Sequence, residues 1–251
     1  MQNRYSRLSA WAYDLDKPIG HSFGDVEFLL ARLAGCDGLI LEPAVGTGRI
    51  LIPLLQAGFA VEGFDASPDM LERCRANCRA HGVSPRLDLM RFADFAYDHA
   101  FAAIILPAGS FELIDDFAAA MAVLRRMHAH LQPGGRLIVD LDPVDMFFEA
   151  PAPLRSWPTQ DGGTLSLREL ATEIDHLRQR TRTPLLYEYL RDGKLIAREE
   201  EIFTLRWWGV GEFTLALQAA GFADVAVCGE RIPGRPPQDG DSVLTFEARR
   251  P

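Results

Sequence analysis

The residues best suited to chemistry lie between positions 39 and 67, and their order carries the information. A short apolar run (39–41) ends in Glu42, passes through Ala44-Val45-Gly46-Thr47-Gly48, and enters an apolar helical pattern at Ile50, Leu51, Leu54 and Leu55. Gly58 stops that pattern, and a second strand (59–64) ends in Asp65. Strand, glycine turn, helix, strand and acid in succession is the sequence form of a βαβ nucleotide site. Gly46 and Gly48 let the backbone turn tightly and a ligand come close. Asp65, at the tip of the second strand, can accept both hydroxyls of a ribose. Glu42 chooses between ligands, because a carboxylate before the loop repels a pyrophosphate and attracts a cationic amino group. An NAD site also calls for a third glycine inside the helix, and Leu51 occupies that position.

Glu42, Gly46 and Gly48 resemble the first motif of the class I S-adenosylmethionine-dependent methyltransferases, roughly E/D-x-G-x-G-x-G, with Ala44 in place of the first glycine. The pattern L-x-P-G-G-x-L-x-x-D, common in that family before its fifth strand, is similar to residues 131–140 here. The resemblance implies S-adenosyl-L-methionine as cofactor and S-adenosyl-L-homocysteine as product. It implies that Met70 lies against the adenine and that Asp94 accepts its exocyclic amine, with Ala93 and Phe95 lining the ring. Ala66 and Leu106, after the second strand and at the end of the fourth, complete the expected cofactor wall. Tyr13, in a Tyr-Asp pair with Asp14, is either a lid residue over the cofactor or an aromatic anchor for a mobile end. Ser110 and Phe111 either face the methyl and the substrate or are a helix cap and its apolar neighbour.

Methyl transfer is an in-line displacement, so the protein has chiefly to align the nucleophile and exclude water. A hydroxyl or protonated amine acceptor benefits from a general base, and His21, Glu112, Tyr187 and Glu188 are the candidates by placement. Arg206, Trp207 and Trp208 either frame a substrate or pack an inserted sheet against the core. Lysine occurs only as Lys17 and Lys194, which disfavours Schiff-base and P-loop chemistry. Cys36, Cys74, Cys78 and Cys228 form no metal-ligand pattern and read as thiols in a reducing compartment. No metal is expected.

The elements needed to position these residues follow from periodicity. The expected fold is α/β: a Rossmann-like doubly wound sheet of about seven strands, its last edge strand antiparallel, with a small antiparallel β insertion. Residues 1–37 read as a helical lid segment, 38–150 as the cofactor-binding core, 151–208 as the insertion capping the substrate, and 209–251 as a final helix and strands. Ser67-Pro68 opens a helix as cap and first residue. Residues 101–106 are an uninterrupted apolar strand of the kind buried in a parallel sheet. Beyond 164 the pattern alternates, as in antiparallel strands with one solvated face, and residues 191–194 form a hairpin turn.

The 251 residues carry 26 basic and 35 acidic side chains, a net charge of −9. A polyanion-binding protein usually shows a basic surface, so nucleic acid is not expected as a partner, and no apolar run suits a membrane span. The expected partner is a small-molecule substrate, the expected location cytoplasmic, and the exposed antiparallel sheet is a candidate homodimer surface. The competing readings are an NAD-dependent oxidoreductase, an inactive cofactor-binding protein of the same fold, and an RNA or protein methyltransferase. The last would carry a motif such as N-P-P-Y after the fourth strand, where residues 106–109 read Leu-Pro-Ala-Gly.

Overall fold

Along the strand Phe101–Leu106 successive side chains enter two different apolar cores. Ile104 and Leu106 pack in one, Ala103 and Ile105 in the other. The same split divides Leu41 from Ile40 on the neighbouring strand. Side chains alternate across a strand, so a sheet with apolar residues at every position must be covered on both faces. The computed structural model describes residues 5–150 and 154–251. Its larger sheet contains β1 (Ile40–Pro43), β2 (Val61–Asp65), β3 (Leu87–Leu89), β4 (Phe101–Leu106), β5 (Leu131–Leu141), β11 (Ala223–Gly229) and β12 (Leu244–Arg249). Their spatial order is β11-β12-β5-β4-β1-β2-β3. Helices α2 (Asp25–Arg32), α3 (Leu51–Gln56) and α4 (Pro68–Ala80) cover one face; α5 (Phe117–His130) and α6 (Val210–Ala219) cover the other.

The expected doubly wound sheet is present, with one correction at its edge. The strand that runs against the rest is β12, as expected, but it lies between β5 and β11, antiparallel to both. Burial explains the order. β12 is nearly buried throughout, whereas β11 alternates half-buried and exposed residues along most of its length and suits an edge.

A second sheet is antiparallel, ordered β10-β9-β7-β6 from Arg155–Pro158 (β6), Thr164–Glu169 (β7), Arg180–Arg191 (β9) and Lys194–Arg206 (β10), with β8 (Glu173–Asp175) paired to β9. The expected hairpin joins β9 to β10, and Asp192 and Gly193 both take positive φ (51° and 70°), as a tight two-residue turn requires. Between β5 and β7 lie the short 3₁₀ turn Val144–Phe148 and strand β6. The start of the insertion at 151–153 and the first four residues of the lid segment lie outside the described residues.

Helix α1 (Arg7–Asp16) belongs with the smaller sheet. Its Leu8 and Ala12 share a core with Leu165, Leu167, Leu185, Tyr187 and Tyr189. Its other side meets α4 of the larger domain. Among the described residues no helix is long and apolar enough to cross a membrane.

Candidate active site

The glycine loop follows directly from β1. Ala44 adopts a left-handed φ of 53°, and Gly46 and Gly48 follow at 58° and 90°. A side chain costs energy in this region, so Ala44 stands in a conformation that suits the glycine it replaces. A Cβ on Gly48 would come within 3.0 Å of Cys74 Sγ, so that glycine lets the loop settle onto α4. The loop is held by Asp65, whose two oxygens accept the backbone N–H groups of Gly46 (2.9 Å) and Ser67 (2.8 Å). Burial raises the Asp65 pKa, and those amides oppose the shift. Ser67 caps α4 as expected, accepting from Met70 N at 3.1 Å.

Two adjoining cavities open where β1 and β4 lie side by side, the switch point at which chains of this topology diverge and ligands bind. The first, about 340 Å³, is lined by Ala44, Gly46, Asp65, Ala66 and Met70 together with Met90, Phe92 and Ala93. Ser110 and Glu112 close its far side. The second, about 380 Å³, lies under the smaller sheet and is lined by Tyr187, Leu185, Glu169 and the threonines 172, 181 and 183. Tyr5, Tyr13, Lys17, Asp142, Phe203 and Leu205 line both.

The structure thus brings Tyr13, Ala44, Gly46, Asp65, Ala66, Met70, Ser110 and Glu112 to one cavity, and Tyr187 to the next. The other expected residues stand elsewhere. Asp94 is exposed in a turn and accepts Arg91 N at 3.2 Å. Phe95 is fully buried and stacked on Phe64, with ring centroids 5.0 Å apart. The turn after β3 presents to the cavity Ala93, which was expected there, and Phe92, which was not. Leu106 and Phe111 are core residues, Phe111 against Trp208 and Phe213. His21 is exposed and packs on Phe23. Arg206 is ion-paired to Glu212 at 2.6 Å and lies 3.7 Å over the Trp208 ring, so both pack the second sheet against the core.

Glu42 is buried beneath the loop and does not line either cavity; its Oε2 has no hydrogen-bond partner among the described residues. Burial pushes its pKa well up, against the pull of Arg49. Arg49, which sequence reasoning passed over, makes a two-pronged buried pair with Asp25 (3.0 and 2.6 Å) and donates to the carbonyl of His21. Burial would raise the Asp25 pKa, but the guanidinium holds it below the usual range. Burial raises the Tyr13 pKa, and the nearby Arg49 opposes that shift. Arg49 therefore ties α2 to the loop.

Glu112 is 1% exposed and accepts Asp142 N at 2.9 Å. Burial first, and then the Asp142 charge, push its pKa well above the ordinary value. Asp142 is raised as well, by burial and by Asp140. Both carboxylates flank Gly109, where an added Cβ would stand 2.7 Å from Glu112 Oε2 and 3.5 Å from Asp142 Oδ2. Lys17 lies 4.7 Å over the Tyr13 ring, and burial lowers its pKa. Sequence reasoning noted Lys17 only as a rarity and missed Asp142 and Tyr5. The one available signal was for Asp142, a second acid just beyond the fifth strand.

This lining also bears on the cofactor. Asp65, Glu112, Asp115 and Asp142 face the first cavity, with Lys17 and Arg91 as the basic side chains. Such a wall is hostile to a pyrophosphate and suits a ribose and a cationic centre. The residues present therefore fit S-adenosylmethionine, with Asp65, Gly46 and Met70 among those that would hold it.

Comparison with known proteins agrees with this geometry. Residues 40–135 match the family model described as a methyltransferase domain. A curated relative, the cypemycin N-terminal methyltransferase of Streptomyces sp, is 28% identical over 146 residues, which cover 56% of this chain. The matched stretch spans 58% of that relative's length. Among solved structures, an S-adenosylmethionine-dependent methyltransferase from Clostridium acetobutylicum superposes with a TM-score of 0.76 at 16% identity, over 96% of this chain and 97% of its own. A sugar N-methyltransferase from Streptoalloteichus gives 0.75 at 18% identity, over 100% and 94%. These structures share the fold.

Proposed function

We propose that this class I S-adenosylmethionine-dependent methyltransferase methylates an amine nitrogen of a small, hydroxyl-bearing acceptor seated in the second cavity. The observation that carries the reading is the Glu112–Asp142 pair, with Glu112 lining the first cavity and Asp142 lining both. S-adenosylmethionine, when bound, supplies a methyl group made electrophilic by its sulfonium. The chain's own work is to hold, align and deprotonate. Asp65 and the 44–48 loop grip the nucleoside end, and Met70, Met90 and Phe92 offer it an apolar slot. Tyr5, Tyr13 and Phe203 stand between the cavities and keep water from the reacting atoms.

An acceptor amine is protonated near neutral pH and must lose that proton before it can attack. Carboxylates attract the ammonium, and one whose pKa is raised is a stronger base for taking its proton. Glu112, aided by Asp142, fills that role. The threonines and Tyr187 of the second cavity are hydrogen-bonding groups suited to hydroxyls. The relative's name, an N-terminal methyltransferase, supports nitrogen as the acceptor atom. A cytoplasmic location, a small-molecule partner with no nucleic acid or membrane, and a homodimer through the smaller sheet belong to the same reading.

Calorimetric titration with S-adenosylmethionine and S-adenosylhomocysteine, with NAD as control, tests the cofactor. Binding in the micromolar range without NAD binding is expected. A panel of matched amine and alcohol acceptors then tests the atom, and methylation of alcohols alone would overturn the assignment to nitrogen.

A further inference from the structure

Strand β10 contains the run Arg198-Glu199-Glu200-Glu201, which as sequence looks like a solvated charge cluster. Its period-two geometry separates the three acids. Glu199 and Glu201 share the face of Phe203 and Leu205, which line the cavities, while Glu200 is exposed on the other face.

On that inner face the two carboxylates meet the start of α1. Glu201 accepts the backbone N–H of Ser6 at 2.7 Å and the hydroxyl of Ser9 at 2.9 Å. Glu199 accepts the backbone N–H of Leu8 at 2.7 Å. The Ser6 hydroxyl contacts both carboxylates. The first N–H groups of a helix lack partners within it, and a negative charge there also satisfies the helix dipole. The N-cap Ser6 makes no capping hydrogen bond of its own to α1, so the second sheet supplies the cap.

The segment fixed this way is the wall between the cavities. Tyr5, just before α1, packs edge-on to Phe203 at 6.0 Å, and its carbonyl accepts the Ser67 hydroxyl at 2.6 Å. Ser67 is the residue held by Asp65 in the cofactor cradle. One short stretch of chain therefore joins β10 to the cradle.

We propose that Glu199 and Glu201 are positioning residues that latch α1 shut, so that Tyr5 and Tyr13 are set over both cavities at once. Neither carboxylate lines the cofactor cavity; they act on it through α1. This rests on the reading of the first cavity as the cofactor site, but the latch itself can be tested without ligand.

Limited chymotrypsin digestion of the unliganded protein reads the latch directly, through cleavage at Trp11 and Tyr13. In Glu199→Gln/Glu201→Gln that cleavage should quicken about tenfold, the equivalent of one charge-assisted hydrogen bond, with cleavage elsewhere and Tm nearly unchanged. The Kd for S-adenosylhomocysteine should rise about tenfold in the same variant, while Glu200→Gln matches the wild type in both. Ser6→Ala, which leaves β10 intact, should give a smaller increase of about threefold and decides the matter if the double variant is globally unstable. Wild-type cleavage in Ser6→Ala and in a folded double variant would overturn the latch. Absence of S-adenosylhomocysteine binding to the wild type would instead overturn the cofactor reading and leave the digestion result standing.

Discussion

Around the first cavity the groups that face inward come from the ends of strands and the turns after them: Ala44, Gly46, Asp65, Ala66, Ser110. Around the second they come from the faces of strands: Leu167 on β7, Thr181, Leu185 and Tyr187 on β9, Phe203 and Leu205 on β10. The first kind of wall is anchored on backbone, fixed by φ angles and by a carboxylate that accepts two amides, with side chains such as Met70 and Phe92 completing it. The second is made of side chains that can be exchanged without moving the chain. A cavity walled by backbone suits one invariant ligand, and a cavity walled by side chains suits an acceptor that differs from one protein to the next.

Substitutions on the two sides should therefore separate in kind. The largest effect is expected for Asp65→Ala, which removes charge-assisted hydrogen bonds of about 1.5–3 kcal/mol each. Affinity for S-adenosylmethionine should fall at least 100-fold by calorimetry. An equal loss of acceptor affinity would erase the contrast between the cavities.

Next comes Glu112→Gln, expected to lower kcat by about 10²-fold with little change in the KM for S-adenosylmethionine. In the wild type kcat/KM should rise with pH through a limb lying above the ordinary carboxylate range, since Glu112 and Asp142 are both raised. Stability should show the opposite sign. A carboxylate whose folded pKa is raised contributes full stability below its unfolded pKa and loses it as pH rises through the folded value. Gln never ionises, so Glu112→Gln should match the wild-type Tm near pH 4 and exceed it increasingly at higher pH. A gap that shrinks with pH would contradict the assigned shift.

The smallest effect belongs to Ala44→Gly. Relief of the left-handed φ, partly offset by the added freedom of the unfolded chain, should stabilise by about 0.5 kcal/mol, roughly 1–2 °C in Tm. Cofactor affinity should change less than about twofold. A larger change would mean that the Ala44 methyl itself contacts the ligand.

The same division governs what could be read from the sequence. The loop from Glu42 to Asp65 was legible because its spacing is local and its glycines answer to backbone geometry. The β9–β10 hairpin was legible for the same reason. The residues after β3 were harder, because a turn rotates side chains by an amount that spacing does not fix. Phe92 therefore faces inward beside the expected Ala93, and Asp94 and Phe95 do not. Arg206 and Trp208 suggested recognition by their chemistry, yet the Glu212 pairing and complete burial of the indole make them core. Glu199 and Glu201 were hidden in a charge run that only strand alternation resolves.

The insertion of β12 between β5 and β11 bears on how the molecule folds. β5 cannot complete its ladder until the chain has passed through the whole smaller sheet and α6 and returned. Such distant pairing slows folding, because loop closure must precede the contacts that repay it. The β9–β10 hairpin pairs residues that are close in sequence and can form early. Its formation draws the two halves of the large sheet together and shortens the effective search. The proposed acceptor side thus holds the local strand pairing, and the sheet on which it is mounted holds the distant one.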